Sequence, residues 1–424
     1  VTSRAFDRLR RSLARLRDLW PLTARGALAL AIAGLALWAL GRRSLDLVAF
    51  VVGLATLLIA GMALAACVAA GLALRRRLLP PPLNRSLESD VRLPTGFDAP
   101  ALARLPLVSL GWTWLEPAGI ECAPRLRDGR LVEEVKAALR GHARAVRRRF
   151  TVGDVFGLVR VSWERETPAA LTILPNPGRL RHVSVVDALA GGEGLPHPSG
   201  TPDGDRMDLR RYAPGDSARH ILWKVWARTG KLTVRLPERA LVPARKTVAY
   251  LVTADGDEAA AAAARVALES GSLGSDWAFG CDGAAEPTDD LDAALLSIAR
   301  SGGLRREGAE LGAFLEAAWR EGAAHCVVFA PAAPGPWIRN VQDASRRQRG
   351  RLSFVIAAES VAREQPEPLW RRLLMDSADP AEATPARALG DTLRQVAALG
   401  AGALVVERRT GRSYGAAHAQ ALRG

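Results

Sequence analysis

The densest set of side chains able to do chemistry lies between Asp208 and Val234, DLRRYAPGDSARHILWKVWARTGKLTV. Pro214 and Gly215 preset a turn, and Asp216 or Ser217 can accept backbone N–H bonds to open a helical turn. Arg210, Arg211, Arg219, Lys224 and Arg228 crowd it, while Tyr212, Ile221, Trp223 and Trp226 add apolar surface. Guanidinium forks bind carboxylates and phosphates, so this pattern suits internal ion pairs or an anionic partner. The internal reading pairs Arg210, Arg219 and Arg228 with acids such as Asp205, Asp216 and Glu238 and buries Trp223 among them. Consecutive or alternate charges cannot all point inward, which makes Arg211 and Lys224 the candidates for contact with a partner.

Catalytic constellations fail at the level of spacing. Ser217 and His220 stand three residues apart on one short helical turn, the wrong geometry for a base aimed at that hydroxyl, and no GxSxG elbow exists. Thr229, Gly230 and Lys231 lack the preceding glycine and the following helix of a phosphate loop. Six histidines, at positions 142, 182, 197, 220, 325 and 418, form no HxH or HxxxH pair. Cys67, Cys122, Cys281 and Cys326 form no CxxC, so neither a zinc site nor a disulfide framework is indicated. The expectation is a protein that is not an enzyme.

The elements that must position the motif begin in a membrane. Gly26–Gly41 is an uninterrupted apolar run between Arg25 and Arg42/Arg43, and a second run, Leu47–Leu74, ends in Arg75, Arg76 and Arg77. Seven arginines precede the first run and three close the second, so the positive-inside rule places both ends of a two-helix hairpin in the cytoplasm. A cleaved signal peptide is the alternative for the first run. A long basic segment before it, no clean small-x-small site after it and an immediate second run argue for a span. Residues 1–77 hold 12 Arg against 3 Asp and so carry most of the +14 net charge. No dense run of alternating Arg and aromatic residues follows, which excludes a nucleic-acid footprint.

Composition, 49% hydrophobic and 24% charged, supports folded cores over 424 residues, too many for a single one. The expected order is a basic N-terminus (1–25), the transmembrane hairpin (26–77, spans about 26–41 and 47–74) and a Pro-rich linker (78–106). A β-sandwich-like domain (107–200), the signature segment (201–245) and an α/β domain (246–424) follow. Short alternating segments from Leu107, punctuated at Glu116–Gly119, Arg127–Gly129 and Gly153/Asp154, predict an antiparallel sandwich. From Thr247, strands VAYLVTA, WAFGC, HCVVFA and LSFVIA alternate with helices at Glu258–Ser270, Asp290–Arg300, Ala309–Glu321, Trp337–Arg349 and Pro366–Met375. A last helix at Leu389–Leu399 and a strand at Ala403–Arg408 complete a helix-wrapped parallel sheet. The Ala259–Ala264 tract is expected on a helix surface.

This order, with Arg210, Tyr212, Pro214, Gly215, Asp216, Arg219, Ile221, Trp223 and Arg228 at their spacing, resembles bacterial proteins of the domain-of-unknown-function family 58. Upstream, Asp154, Phe156, Gly157 and Leu158 (DVFGL) resemble that family's turn into a strand. The resemblance implies a multi-pass inner-membrane protein with a cytoplasmic body and a von Willebrand A-like (Rossmann-like) C-terminal domain. It further implies an adaptor role beside a cytosolic MoxR-type AAA+ ATPase, with the lipid bilayer and that ATPase as partners.

Von Willebrand A chemistry needs convergent oxygen ligands for a divalent cation. Asp255, Asp257 and Thr288 are the candidates here. The serines expected beside the first aspartate are missing, and no acid follows HCVVFA. No cofactor is expected, a weak Mg²⁺ site being the most these residues would make. Two other functions stand as alternatives: a metal-dependent ligand-binding module using these three residues, and an uncharacterised hydrolase using Ser217.

Overall fold

Long apolar runs become the N-terminal helices, and alternation becomes sheet. The computed structural model describes residues 21–42, 47–102, 107–183, 207–211, 222–237, 246–323, 325–347, 351–362 and 384–415. The chain divides into two compact units, Val1–Asn176 and Pro177–Gly424.

In the first unit, α1 (Ala24–Ala36) runs into a π-helical turn (Leu37–Arg42), and α2 (Leu47–Arg77) returns beside it. Gly53 makes that return close, because a Cβ there would meet Leu37 Cγ at 2.7 Å and Ala33 O at 3.3 Å. Within α2, Phe50–Arg77 is long and apolar enough to cross a membrane, with a mean hydropathy of 2.5 over an 18-residue stretch, whereas Ala24–Ala39 is a shorter apolar helix. Leu54, Leu58 and Met62 of α2 are exposed. The last turns differ: Cys67, Ala70 and Leu74 form a buried stripe against Phe97, Trp112, Phe150 and Trp163.

The segment expected to be a linker, 78–106, instead starts the sandwich. It carries β1 (Leu83–Glu88) and β2 (Arg92–Pro100), in which Leu83 and Leu87, then Thr95, Phe97 and Ala99, turn inward. Its prolines obscured this pattern, yet β2 lies at a sheet edge and its register slips between Pro94 and Asp98, where proline is tolerated. β3 (Val108–Glu116), β4 (Ile120–Arg127), β5 (Arg130–Ala137), β6 (Gly141–Asp154) and β7 (Arg160–Leu174) follow. One sheet has the order β1-β7-β6-β3, the other β2-β5-β4. Pairing is antiparallel except between β1 and β7, which run parallel, so the fully antiparallel expectation is corrected there. Among the described residues the last strand of the sandwich ends at Leu174, and the unit ends at Asn176 rather than at residue 200.

In the second unit, β8 (Met207–Arg211), α3 (Trp223–Thr229) and β9 (Thr233–Pro237) precede the large sheet. That sheet uses β10 (Thr247–Leu251), β11 (Trp277–Cys281), β12 (Ala284–Thr288), β13 (His325–Pro331), β14 (Arg351–Ala358), β17 (Gly402–Glu407) and β18 (Ser413–Gly415). A small pair, β15 (Val361–Ala362) with β16 (Thr384–Pro385), lies apart from it. The order is β12-β11-β10-β13-β14-β17-β18, parallel in the middle and antiparallel at both edges. The chain winds outward from β10 in one direction, then returns past it to β13, which creates a switch point between these two strands.

Helices α4 (Glu258–Glu269), α5 (Leu291–Arg300), α6 (Leu311–Arg320), α7 (Trp337–Arg347) and α8 (Ala386–Ala397) cover the sheet. The alanine tract of α4 is no surface: Ala259 to Ala264 are all fully buried. Val327, Phe329 and Val355 of the sheet, Ala294 and Ile298 of α5, and Leu180 and Val183 belong to the same core. Methyl side chains let the helix sit close on several sides at once. The helix expected at Pro366–Met375 lies outside the described residues.

Candidate functional site

The described part of the signature segment is an antiparallel strand pair with a short helix before its second strand. β8 and β9 pair antiparallel, with Arg210 opposite Val234 and Arg211 opposite Thr233. Leu222 N donates to Thr233 O at 2.9 Å, setting α3 at one end of the pair. Gly230 ends α3 in the left-handed conformation, φ 62°, and its N–H bonds to Trp226 O at 2.8 Å. Thr229, Gly230 and Lys231 therefore close a helix, the reverse of a phosphate loop, which opens one. Tyr212, Pro214, Gly215, Asp216, Arg219 and Ile221 lie outside the described residues, as do Ser217 and His220.

Trp223 corrects the sequence reading. Expected to be buried, it is 56% exposed, and Trp226 is 46% exposed. The two sit three residues apart on one face of a seven-residue helix with no buried residue, so each indole covers part of the other, edge to face at 6.1 Å. Lys224 and Arg228 are exposed beside them, as are Lys231 and Leu232. Residues 222–237 contain no Asp or Glu. The result is a cationic aromatic surface.

The second candidate lies at the switch point. After β10 the chain reads Val252, Thr253, Ala254, Asp255, Gly256, Asp257 into α4. Asp282, which follows β11, is fully buried and accepts four hydrogen bonds. They come from Tyr250 Oη at 2.8 Å, Thr253 N at 2.8 Å, Thr253 Oγ1 at 3.1 Å and Gly308 N at 2.8 Å. Burial, reinforced by the nearby Asp282 carboxylate, raises the Tyr250 phenol pKa well above its ordinary value.

Thr253 is the second hub. Arg306 N donates to its Oγ1 at 3.2 Å and Glu307 N to its carbonyl at 2.8 Å. Glu307 (φ 53°) and Gly308 (φ 76°) are both left-handed, and Asn340 Nδ2 holds Glu307 O at 2.8 Å. The segment before α6 thus closes over the carboxyl end of β10, where a doubly wound sheet ordinarily leaves its ligand crevice.

The three metal candidates do not converge. Asp255 is exposed and ion-paired with Arg305 Nε at 2.7 Å. Asp257 is nearly buried, and its Oδ2 accepts Ala254 N at 3.2 Å. Thr288 lies opposite Phe279, level with Ala249 in the middle of the sheet rather than at the carboxyl end. Its hydroxyl accepts Asp290 N at 3.3 Å, where Asp290 caps α5. Among the described residues no three His, Cys, Asp or Glu side chains form a group able to hold a metal ion.

A third polar centre, unforeseen in the sequence, sits between the two sheets of the first unit. Glu133 on β5 is fully buried and accepts from Thr95 Oγ1 (2.6 Å), Trp112 Nε1 (2.7 Å) and Trp114 Nε1 (2.9 Å). Arg148 on β6, equally buried, donates Nε and Nη2 to it at 2.9 and 2.8 Å and Nη1 to Thr167 Oγ1 at 2.9 Å. Cys122 Sγ stands 4.0 Å from the carboxylate, and burial first, then that negative charge, pushes its thiol up to about 12. Every donor and acceptor here is engaged internally, which marks a structural staple. The signal available in the sequence was Trp112 and Trp114 at alternate positions, two same-face indoles that need an acceptor once buried.

Compared with protein-family models, curated proteins and solved structures, the chain matches none of them.

Proposed function

We propose that this chain is a membrane-anchored, non-enzymatic adaptor that offers a cationic aromatic surface to a cytosolic partner. The observation that carries the reading is the exposed Trp223–Trp226 pair flanked by Lys224, Arg228 and Lys231, on a segment without acids. Tryptophan and arginine, here Trp223, Trp226 and Arg228, are enriched among the residues that dominate binding energy at protein interfaces. The absence of Asp and Glu favours an acidic counterpart.

Resemblance to the domain-of-unknown-function family 58 makes a MoxR-type AAA+ ATPase the partner. Support for anchoring comes from α2, with α1 and its π-helical turn as the first limb of a hairpin. Arg75, Arg76 and Arg77 at the end of α2 direct the body to the cytosol, giving a multi-pass inner-membrane protein. The doubly wound sheet supports a von Willebrand A-like tail that serves as scaffold, its switch point being occupied by the chain itself.

The test is binding of the full chain in lipid nanodiscs to a purified MoxR-type ATPase in the apo, ADP and ATP states. Binding is expected in at least one state, weakened about 10-fold by Trp226→Ala or Lys224→Glu. No binding in any state would refute the partner.

A further inference from the structure

Resting on the membrane reading above, we infer that the turn Asp154–Leu158, with Leu107, is a third membrane contact. It places Leu107, Val155 and Phe156 at the boundary between lipid headgroups and acyl chains. All three are more than half exposed, an apolar cluster on a sandwich whose other aromatics Phe97, Trp112, Phe150 and Trp163 are buried. Val155 N donates to Leu107 O at 2.9 Å, which brings the cluster together. The turn is rigid. Asp154 accepts Phe156 N at 2.9 Å and Val159 N at 2.6 Å, and Gly157 supplies the left-handed residue, φ 70°.

Two independent features fix its depth. The first is a direct seam to α1: Thr23 N donates to Leu158 O at 2.9 Å, Thr23 Oγ1 to Gly157 O at 2.5 Å, and Arg160 N to Pro21 O at 2.6 Å. Gly26 lies so near that a Cβ would stand 2.1 Å from Leu158 O. The turn and the first turn of α1 therefore share one level.

The second is the length of α2. Its 31 residues span about 46 Å, more than the ~30 Å hydrocarbon core. The excess is accounted for by Cys67–Arg77, which carries the stripe buried on the sandwich. That leaves Leu47–Ala66, about 30 Å, for the bilayer. Gly53 faces Ala33 and Leu37, so Gly26, two turns before Ala33, stands level with about Ala60 of α2, one turn before Ala63, where packing on the sandwich begins. The two estimates agree to within about 10 Å and put the 154–158 turn at that boundary or just inside it. Arg25 and Arg160, exposed on either side of the seam, suit anionic headgroups.

The test places a single environment-sensitive fluorophore on the full chain in vesicles of about three parts phosphatidylcholine to one part phosphatidylglycerol. Native thiols interfere little: Cys67, Cys281 and Cys326 are buried, and Cys122 is half-buried with its thiol held protonated. Labels go on Phe156→Cys and, as a second reporter, Val155→Cys. Leu58→Cys on the exposed face of α2 reports the span, and Leu139→Cys, at the opposite end of β6, reports water.

The expected result is a blue shift and at least about twofold quenching at 155 and 156 by lipids doxylated near the headgroup. Quenching at 58 should come from lipids doxylated near the chain end, with none at 139. A quenched Leu58 site with water-like labels at 155 and 156 would overturn the third contact and leave the anchor intact. A water-like label at Leu58 would overturn the anchor itself, and the third contact with it.

Discussion

Each unit buries a carboxylate completely, and the two solve the desolvation problem by opposite means. Glu133 is neutralised by a full cation: Arg148 supplies two N–H groups, and Thr95, Trp112 and Trp114 supply three more donors. The guanidinium in turn lies over the Trp114 and Phe97 rings at 5.0 and 5.4 Å. Among the described residues Asp282 has no cation as a hydrogen-bond partner and is held by one phenol, one hydroxyl and two backbone N–H groups. The first joins strands of two facing sheets; the second joins loops at one end of a single sheet. A charge pair suits the place where two preformed surfaces meet, whereas backbone donors suit the place where loop conformation itself must be specified.

The largest effect should come from breaking the pair on one side. Glu133→Gln leaves Arg148 charged and buried without a counter-ion, so chemical denaturation of the full chain in detergent should show a loss of about 3–5 kcal/mol. The double change Glu133→Leu with Arg148→Met should recover most of that loss, because removing both charges also removes their desolvation cost. A double variant as unstable as the single one would show that the hydrogen bonds to Thr95, Trp112 and Trp114 matter more than the charge. Asp282→Asn should cost less, about 2–3 kcal/mol, since it keeps one acceptor and leaves neutral donors unpaired. Its loss should fall on loop order. Amide exchange at Thr253 and Gly308 should accelerate while the strands of the sheet stay protected.

Alkaline pH separates the two centres more gently. Tyr250 and Cys122 both have raised folded-state pKa values, so the folded chain keeps protons that the unfolded chain releases. Their contribution to stability is intact below the unfolded values, 10.0 for the phenol and 9.0 for the thiol, and declines as pH rises above them. The Cys122 window runs from 9.0 to about 12, and the Tyr250 window opens at 10.0. Cys122→Ser should flatten the pH dependence of the first unit alone, and Tyr250→Phe that of the second. Amide exchange at Trp112 and Trp114, which lie beside Cys122's partner Glu133, should report the first. A Tyr250→Phe variant with an unchanged alkaline limb would separate Tyr250 from the alkaline loss.

Neither carboxylate was legible in the sequence, for a physical reason. Glu133 sits in LVEEVKA and Asp282 in GCDGA, contexts shared by surface acids, and their partners come from 11 to 38 residues away at Glu133 and 26 to 32 at Asp282. The parallel strands were legible because burial on both faces leaves continuous apolar runs at Val248–Val252, Ala278–Cys281 and Cys326–Ala330. β1 and β2 were not, since Pro80, Pro81 and Pro82 before them look like a linker. The alanine tract was correctly read as helix, but small side chains say nothing about which faces are covered. Trp223 failed for the converse reason. Large indoles are usually buried, yet α3 is too short to own a buried face.

The smallest effect on stability should come from that exposed patch, and there the contrast with the buried centres is sharpest. Among the described residues, the side chains of Lys224 and Trp226 make no polar bond whose loss would leave a partner unsatisfied, and both face solvent. Lys224→Glu should therefore change unfolding free energy by no more than about 0.5 kcal/mol. Trp226→Ala removes the edge contact with Trp223, worth about 0.5–1.5 kcal/mol at most. Partner binding should fall far more than stability for both. A surface kept for structure would show the opposite order, with denaturation midpoints shifting before any interaction is lost. Measuring both quantities on Lys224→Glu, Trp226→Ala and Glu133→Gln decides between them: the first two should lose binding at native stability, and the third should lose stability first.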